Sequence, residues 1–205
     1  MSGLILENLV KGFEGKPILG GLSCAFPERG LYLILGESGS GKTTLLRMIA
    51  GLDTDYAGSI TGGGLTAVSM AFQEHRLLPA LTALGNVAEV LIAERLPRAE
   101  AEERAQLALR SVGYPEGDFG LRPAALSGGM RQRVSLARAF AASRPILLLD
   151  EPEKELDEAL RERLYTRIRE EAEGRLVLVV THTPERLLPY ADGTLTVGAN
   201  FGETT

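Results

Sequence analysis

The stretch Gly36-Glu37-Ser38-Gly39-Ser40-Gly41-Lys42-Thr43 narrows the possible folds more than any other feature of the chain. It matches the pattern G-x-x-x-x-G-K-[ST]. An aliphatic run at 31–35 precedes it, and a helical pattern begins near Lys42. Between a strand and a helix, such a loop curls tightly enough for successive backbone N–H groups to converge on phosphate oxygens. The positive end of the following helix adds to that attraction. The pattern predicts that Gly36, Glu37, Ser38, Gly39, Ser40, Gly41, Lys42, Thr43 and Thr44 line a site for a nucleoside triphosphate's tail. Lys42 would neutralise the outer phosphates and the Thr43 hydroxyl would ligate Mg²⁺.

A second aliphatic run, at 146–149, ends in Asp150 and Glu151. Carboxylates at the C-terminal end of a buried strand, beside a phosphate loop, suit metal support by Asp150 and polarisation of an attacking water by Glu151. Taken alone, the two residues would also serve as ordinary strand-end acids before Pro152. Further candidate strands lie at 4–9, 67–72 and 176–181. The runs at 146–149 and 176–180 are almost purely aliphatic and read as strands buried on both faces of a parallel sheet. The alternation of strands with helices predicts an α/β fold.

Residues 54–66 are short and Gly-rich and are expected to form a turn-containing edge segment. About 75–142 carries no convincing strand and is read as a helical lobe inserted into one domain spanning 1–205. After Pro152, Leu156, Leu160, Leu164, Ile168 and Ala172 recur every fourth residue, one buried stripe beside a charged face. Arg131, Arg133 and Arg138 are read as a solvated helix face and His75 as a surface residue.

Composition excludes several functions. With two His and one Cys, Cys24, no zinc constellation can be built and no internal disulfide can form. A net charge of −5 argues against nucleic acid as a partner. No apolar run reaches the roughly 20 residues of a membrane span, and the start does not read as a signal peptide, so a cytoplasmic protein is expected.

Leu126-Ser127-Gly128-Gly129-Met130-Arg131-Gln132-Arg133 supplies a third signal, with Ser127 as an N-cap before an apolar helical run. A Ser-Gly-Gly turn at a helix N-terminus is a second potential anion site, although an ordinary cap reads equally well. Together with the phosphate loop and Asp150-Glu151, in this order, the run resembles the signature motif of the ATP-binding cassette (ABC) ATPases. The resemblance covers essentially the whole chain. Phe13 is similar to the aromatic that stacks on adenine, and Gln73 to the glutamine that contacts magnesium and water. Asp157 is similar to the aspartate that communicates across the dimer, and His182 to the histidine that senses the γ-phosphate. The segment 72–82 and the signature run look most like the nitrate, sulfonate and taurine importer group.

The resemblance implies a RecA-like P-loop core with a mostly parallel sheet, a short antiparallel β segment and an inserted helical subdomain. It implies ATP and Mg²⁺ as ligands, with Thr43, Gln73 and Asp150 at the metal and Lys42, Glu151 and His182 as catalytic groups. Ser127, Gly128 and Gly129 would act in trans on the ATP of a second ATPase subunit. Further implied partners are an integral membrane permease and a substrate-binding protein, with the chain peripheral on the inner face of the cell membrane. A non-transport family member and a degenerate, regulatory nucleotide-binding subunit stay open. Glu153-Lys154-Glu155 departs from the family's usual small or apolar residues there, which puts symmetric homodimerisation in question. Region 58–68 is shorter than usual, Thr183 stands where relatives often carry an acid, and no C-terminal regulatory domain is expected after Val197.

Overall fold

The computed structural model describes residues 3–13, 16–62 and 68–198. The chain divides into two compact units. The first comprises Met1–Met70, Arg144–Asp150 and Ile168–Thr205, and the second Ala71–Ser143 and Glu151–Arg167.

In the first unit, β1 (Leu4–Phe13), β2 (Lys16–Ala25) and β4 (Ala57–Gly62) form a three-stranded sheet in the order β2-β1-β4. Both pairings are antiparallel. The remaining strands are β3 (Gly30–Leu35), β5 (Val68–Ala71), β6 (Ile146–Asp150), β7 (Leu176–Val180) and β8 (Gly193–Thr196). They form a five-stranded sheet in the order β5-β6-β7-β3-β8. The pairings β6–β7, β7–β3 and β3–β8 are parallel. Every residue of β6 and β7 is buried, as their unbroken aliphatic sequences require. Helix α1 (Lys42–Ile49) joins this core through Leu45, Leu46, Met48 and Ile49.

The expected strands at 146–149 and 176–181 are therefore present, but the sequence reading missed β2 and β8 and ended β1 four residues early. For the early end of β1 the physical reason lies in the antiparallel sheet. Asn8 adopts a left-handed φ of 49°, and the β1–β2 register shifts at three places. No period-2 pattern survives such irregularity. β4 holds an edge, as expected for 54–66, while residues 63–67 of that stretch and of the short 58–68 region lie outside the described residues.

The second unit carries α2 (Ala83–Ala93), α3 (Arg98–Ser111) and α4 (Gly128–Ala141). Thr82 caps α2, its hydroxyl accepting from the Gly85 N–H at 3.0 Å. Asn86 is 0% exposed. Its Oδ1 accepts from the Leu78 N–H at 2.7 Å, and its Nδ2 donates to the carbonyls of Leu78 at 3.1 Å and Thr82 at 3.0 Å. That side chain ties the loop before α2 to the helix itself. Helix α5 (Glu158–Gly174) begins after Asp157, whose Oδ1 accepts from the Leu160 N–H at 2.9 Å. Leu156 thus lies before the helix rather than in it, although it is buried with Leu164, Ile168 and Ala172 as the stripe predicted. Among the described residues no helix is long and apolar enough to cross a membrane.

Candidate functional site

Parallel pairing aligns the ends of three strands in the first unit. Val180 at the end of β7 faces Ile34 of β3 on one side and Asp150 of β6 on the other. The phosphate loop leaves this row just past Ile34, and His182 stands exposed two residues past Val180. Gly36, Gly39 and Gly41 have φ of 146°, 80° and 98°. At Gly41 glycine is needed twice over. Its φ is left-handed, and a Cβ there would collide with Ile18 Cγ2 of β2.

Lys42 is buried, and its Nζ donates to the carbonyls of Gly36 at 2.9 Å and Glu37 at 2.8 Å. The ammonium is thereby held inside the loop's curl. Helix α1 has no side-chain cap and no acidic residue in its first turn, so nothing of its own neutralises its positive end. Ser40 Oγ is buried with no hydrogen-bond partner. A buried hydroxyl left unmatched in a loop of this pattern fits a phosphate oxygen.

Thr43 Oγ1 lies 3.2 Å from Asp150 Oδ1, and Asp150 is 1% exposed. A hydroxyl beside a buried carboxylate is an oxygen donor set that suits Mg²⁺, which takes few protein ligands and completes its shell with phosphate and water. The residues present therefore fit the metal that the sequence implies.

Phe13 closes β1 and is 49% exposed. Lys11 Nζ sits 4.9 Å from its ring centroid.

In the second unit, Gln73 Nε2 donates to Glu151 Oε2 at 2.9 Å. Glu151 itself adopts φ 51°, an unusual conformation for a residue with a side chain. Ser127 caps α4, its Oγ accepting from the Met130 N–H at 3.2 Å. Gly128 and Gly129 begin the helix, and Glu155 covers them. A Cβ on Gly128 would strike the Glu155 carboxylate, and one on Gly129 would come within 2.6 Å of the Glu155 carbonyl oxygen. Glu155 reaches this position with φ 63°. His75 Nε2 lies 3.7 Å from Glu155 Oε2. Burial pushes the His75 pKa below its usual value, outweighing the opposing pull of Glu155. His75 is not the surface residue expected from sequence.

The three arginines of α4 differ from expectation as well. Arg138 donates to the carbonyls of His75 and Arg76, Arg133 to those of Gly113 and Gly129, and Arg131 to that of Leu126. Burial lowers the Arg138 pKa. They hold loops in place rather than forming a solvated face. Sequence reasoning also passed over Lys11 and Asn86. The signal for Lys11 was its place two residues before an aromatic on a strand, which puts both side chains on one face.

The sequence profile described as ABC transporter matches residues 19–154. The chain belongs to the ABC transporter family. Its cassette fold is seen in a solved dimer, a post-hydrolysis state of an ATP-binding cassette bound to ADP and Pi. That chain is 28% identical at a TM-score of 0.89, with 98% of this chain and 97% of that chain covered. Among curated relatives, the Fe(3+) ions import ATP-binding protein 1 of Rhizobium meliloti is 41% identical over 201 residues, 92% of this chain and 56% of its own length. The corresponding protein of Streptomyces coelicolor is 41% identical, with 92% of this chain and 57% of its own length covered. The cassette thus spans a little over half the length of these relatives. Their names correct the narrower likeness to the nitrate, sulfonate and taurine group. The importer resemblance extends to iron importers.

Proposed function

We propose that this cassette is the ATP-binding and ATP-hydrolysing subunit of an importer, working as a dimer against a membrane permease on the cytoplasmic face. The reading rests on one observation above the others: a phosphate loop with a buried ammonium, an unmatched Ser40 hydroxyl and the Thr43–Asp150 pair beside it. Gly36–Thr44 bind the phosphates, and Lys42 offsets their charge. Phe13 stacks on the base. Thr43 and Asp150 hold Mg²⁺, joined by Gln73, and the ion when bound neutralises charge on the outer phosphates. Glu151 takes the proton of the attacking water, and His182 donates to the γ-phosphate. Ser127, Gly128 and Gly129 contact the ATP of the second subunit, and Asp157 lies at the same interface.

From the relatives' names we take ferric ion as the cargo class, delivered by a substrate-binding protein to the permease. In an intact importer the Lys42→Ala chain should then abolish ferric uptake.

The central test is Glu151→Gln. It should retain ATP affinity, lose turnover and accumulate an ATP-dependent dimer in size-exclusion chromatography. Turnover at the wild-type rate would remove Glu151 from the proton-accepting role. A second reading, a subunit whose signature turn is silenced, is favoured by the Glu155 carboxylate over Gly128. Steady-state ATPase of the unaltered protein separates the two.

A further inference from the structure

The antiparallel sheet contains a nearly buried cation that no step of the proposed cycle uses. Lys11 is 4% exposed. Its Nζ donates to Asp53 Oδ1 at 2.9 Å, to the Asp55 carbonyl, and to Asp55 Oδ2 at 3.3 Å. The Asp53 hydrogen bond leads in raising the Lys11 pKa, and the same bond lowers that of Asp53, so the pair stays charged at neutral pH. Directly beyond the ammonium is the Phe13 ring, 4.9 Å to its centroid.

Asp53 is not on a free loop. Its N–H and that of Leu52 donate to the carbonyl of Arg47, in the last turn of α1. The first residue of that helix is Lys42 of the phosphate loop. A continuous set of contacts therefore runs from the phosphate loop, along one rigid helix, through Asp53 and Lys11 to Phe13. The other end of α1 is tied to the same antiparallel sheet, where Gly41 packs against Ile18. With α1 held at both ends, the distance and tilt between the Phe13 ring and the phosphate loop are fixed before any ligand arrives. Preorganisation of this kind raises affinity by removing the ordering cost from the binding step. A cation on one side of the ring also draws on its π electrons. The opposite face is left suited to an electron-rich base.

We propose that Lys11 is a positioning residue for base recognition. It fixes Phe13 at a set spacing from the phosphate loop and thereby favours a triphosphate that carries a purine over one that carries none. The proposal rests on the reading of Phe13 as the base-stacking residue.

The test is calorimetric titration of the whole protein with Mg-ATP and, separately, with magnesium tripolyphosphate, which has no base. Lys11→Met should weaken ATP binding about three- to ten-fold and leave tripolyphosphate binding unchanged. Lys11→Arg, which keeps a cation against the ring, should restore most of the ATP affinity. Unchanged ATP affinity in Lys11→Met would overturn the proposal. So would an equal loss for both ligands, because that marks a general structural role. Where Lys11→Met does not fold, Asp53→Asn loosens the ammonium without removing it and should show the same selective loss. Phe13→Ala is measured alongside. If it binds ATP as the wild type does, the stacking reading itself fails. If it weakens ATP while Lys11→Met does not, only the positioning role fails.

Discussion

Two glycine turns open two helices in this protein, and they are treated in opposite ways. The turn before α1 has no side-chain cap, holds Lys42 in its curl and buries a hydroxyl with no partner. The turn before α4 is capped by Ser127 and covered by Glu155, which reaches back from beyond β6. Both helices lack acidic residues in their first turn. At α1 the Asp150 carboxylate sits on the Thr43 hydroxyl in the first turn, whereas at α4 the Glu155 carboxylate lies over Gly128 at the turn itself. The same local device thus gives one site ready for an anion and one where an anion must first displace a side chain.

The largest effect that would break this contrast is at the first turn. Lys42→Ala should weaken ATP binding about 10- to 100-fold by calorimetry, the scale of a lost charged hydrogen bond. Retained affinity would mean that the open turn is not an anion site.

The second turn is probed by stability. Gly129→Ala drives a Cβ against the Glu155 backbone and should cost about 1–3 kcal/mol, seen as a drop in Tm of several degrees. Gly128→Ala meets only the far end of a flexible carboxylate, which can swing aside, and should cost markedly less. Equal losses would show that the path of Glu155 does not set this turn.

The smallest effect concerns pH. Burial holds the His75 pKa in the folded protein below its ordinary value of 6.5, so the unfolded chain takes up its proton first as pH falls. Its contribution to stability is complete above pH 6.5 and is lost as pH drops from there through the lower folded value. His75→Gln should therefore show a smaller fall in Tm between about pH 7.5 and 5.5 than the wild type does. An identical fall would mean that burial beside Glu155 does not govern its titration.

What could be read from the sequence follows from the range of each interaction. The phosphate loop, Ser127 as a cap and the strands β6 and β7 are local patterns, each complete within a few residues. Lys11–Asp53 is not, since 42 positions separate the pair and only the return of the chain after α1 joins them. The charges at 153–155 could be recognised as unusual, but not their target, because Glu155 reaches Gly128 only after β6 has been laid down between them. The arginines of α4 misled for the same reason. One helix in isolation cannot reveal that loops at 75–76 and 113 will present carbonyls to it. β2 was illegible for a different cause: Pro17, Gly20 and Gly21 read as turn residues, and pairing with β1 overrides that preference.

Asn86 has a mechanical consequence. Its buried amide grips the segment 78–82 at both a donor and an acceptor, so a push on Leu78 cannot be absorbed by slack in the loop. Either four bonds around a buried amide rupture together, or α2 shifts with the segment as a single stiff lever.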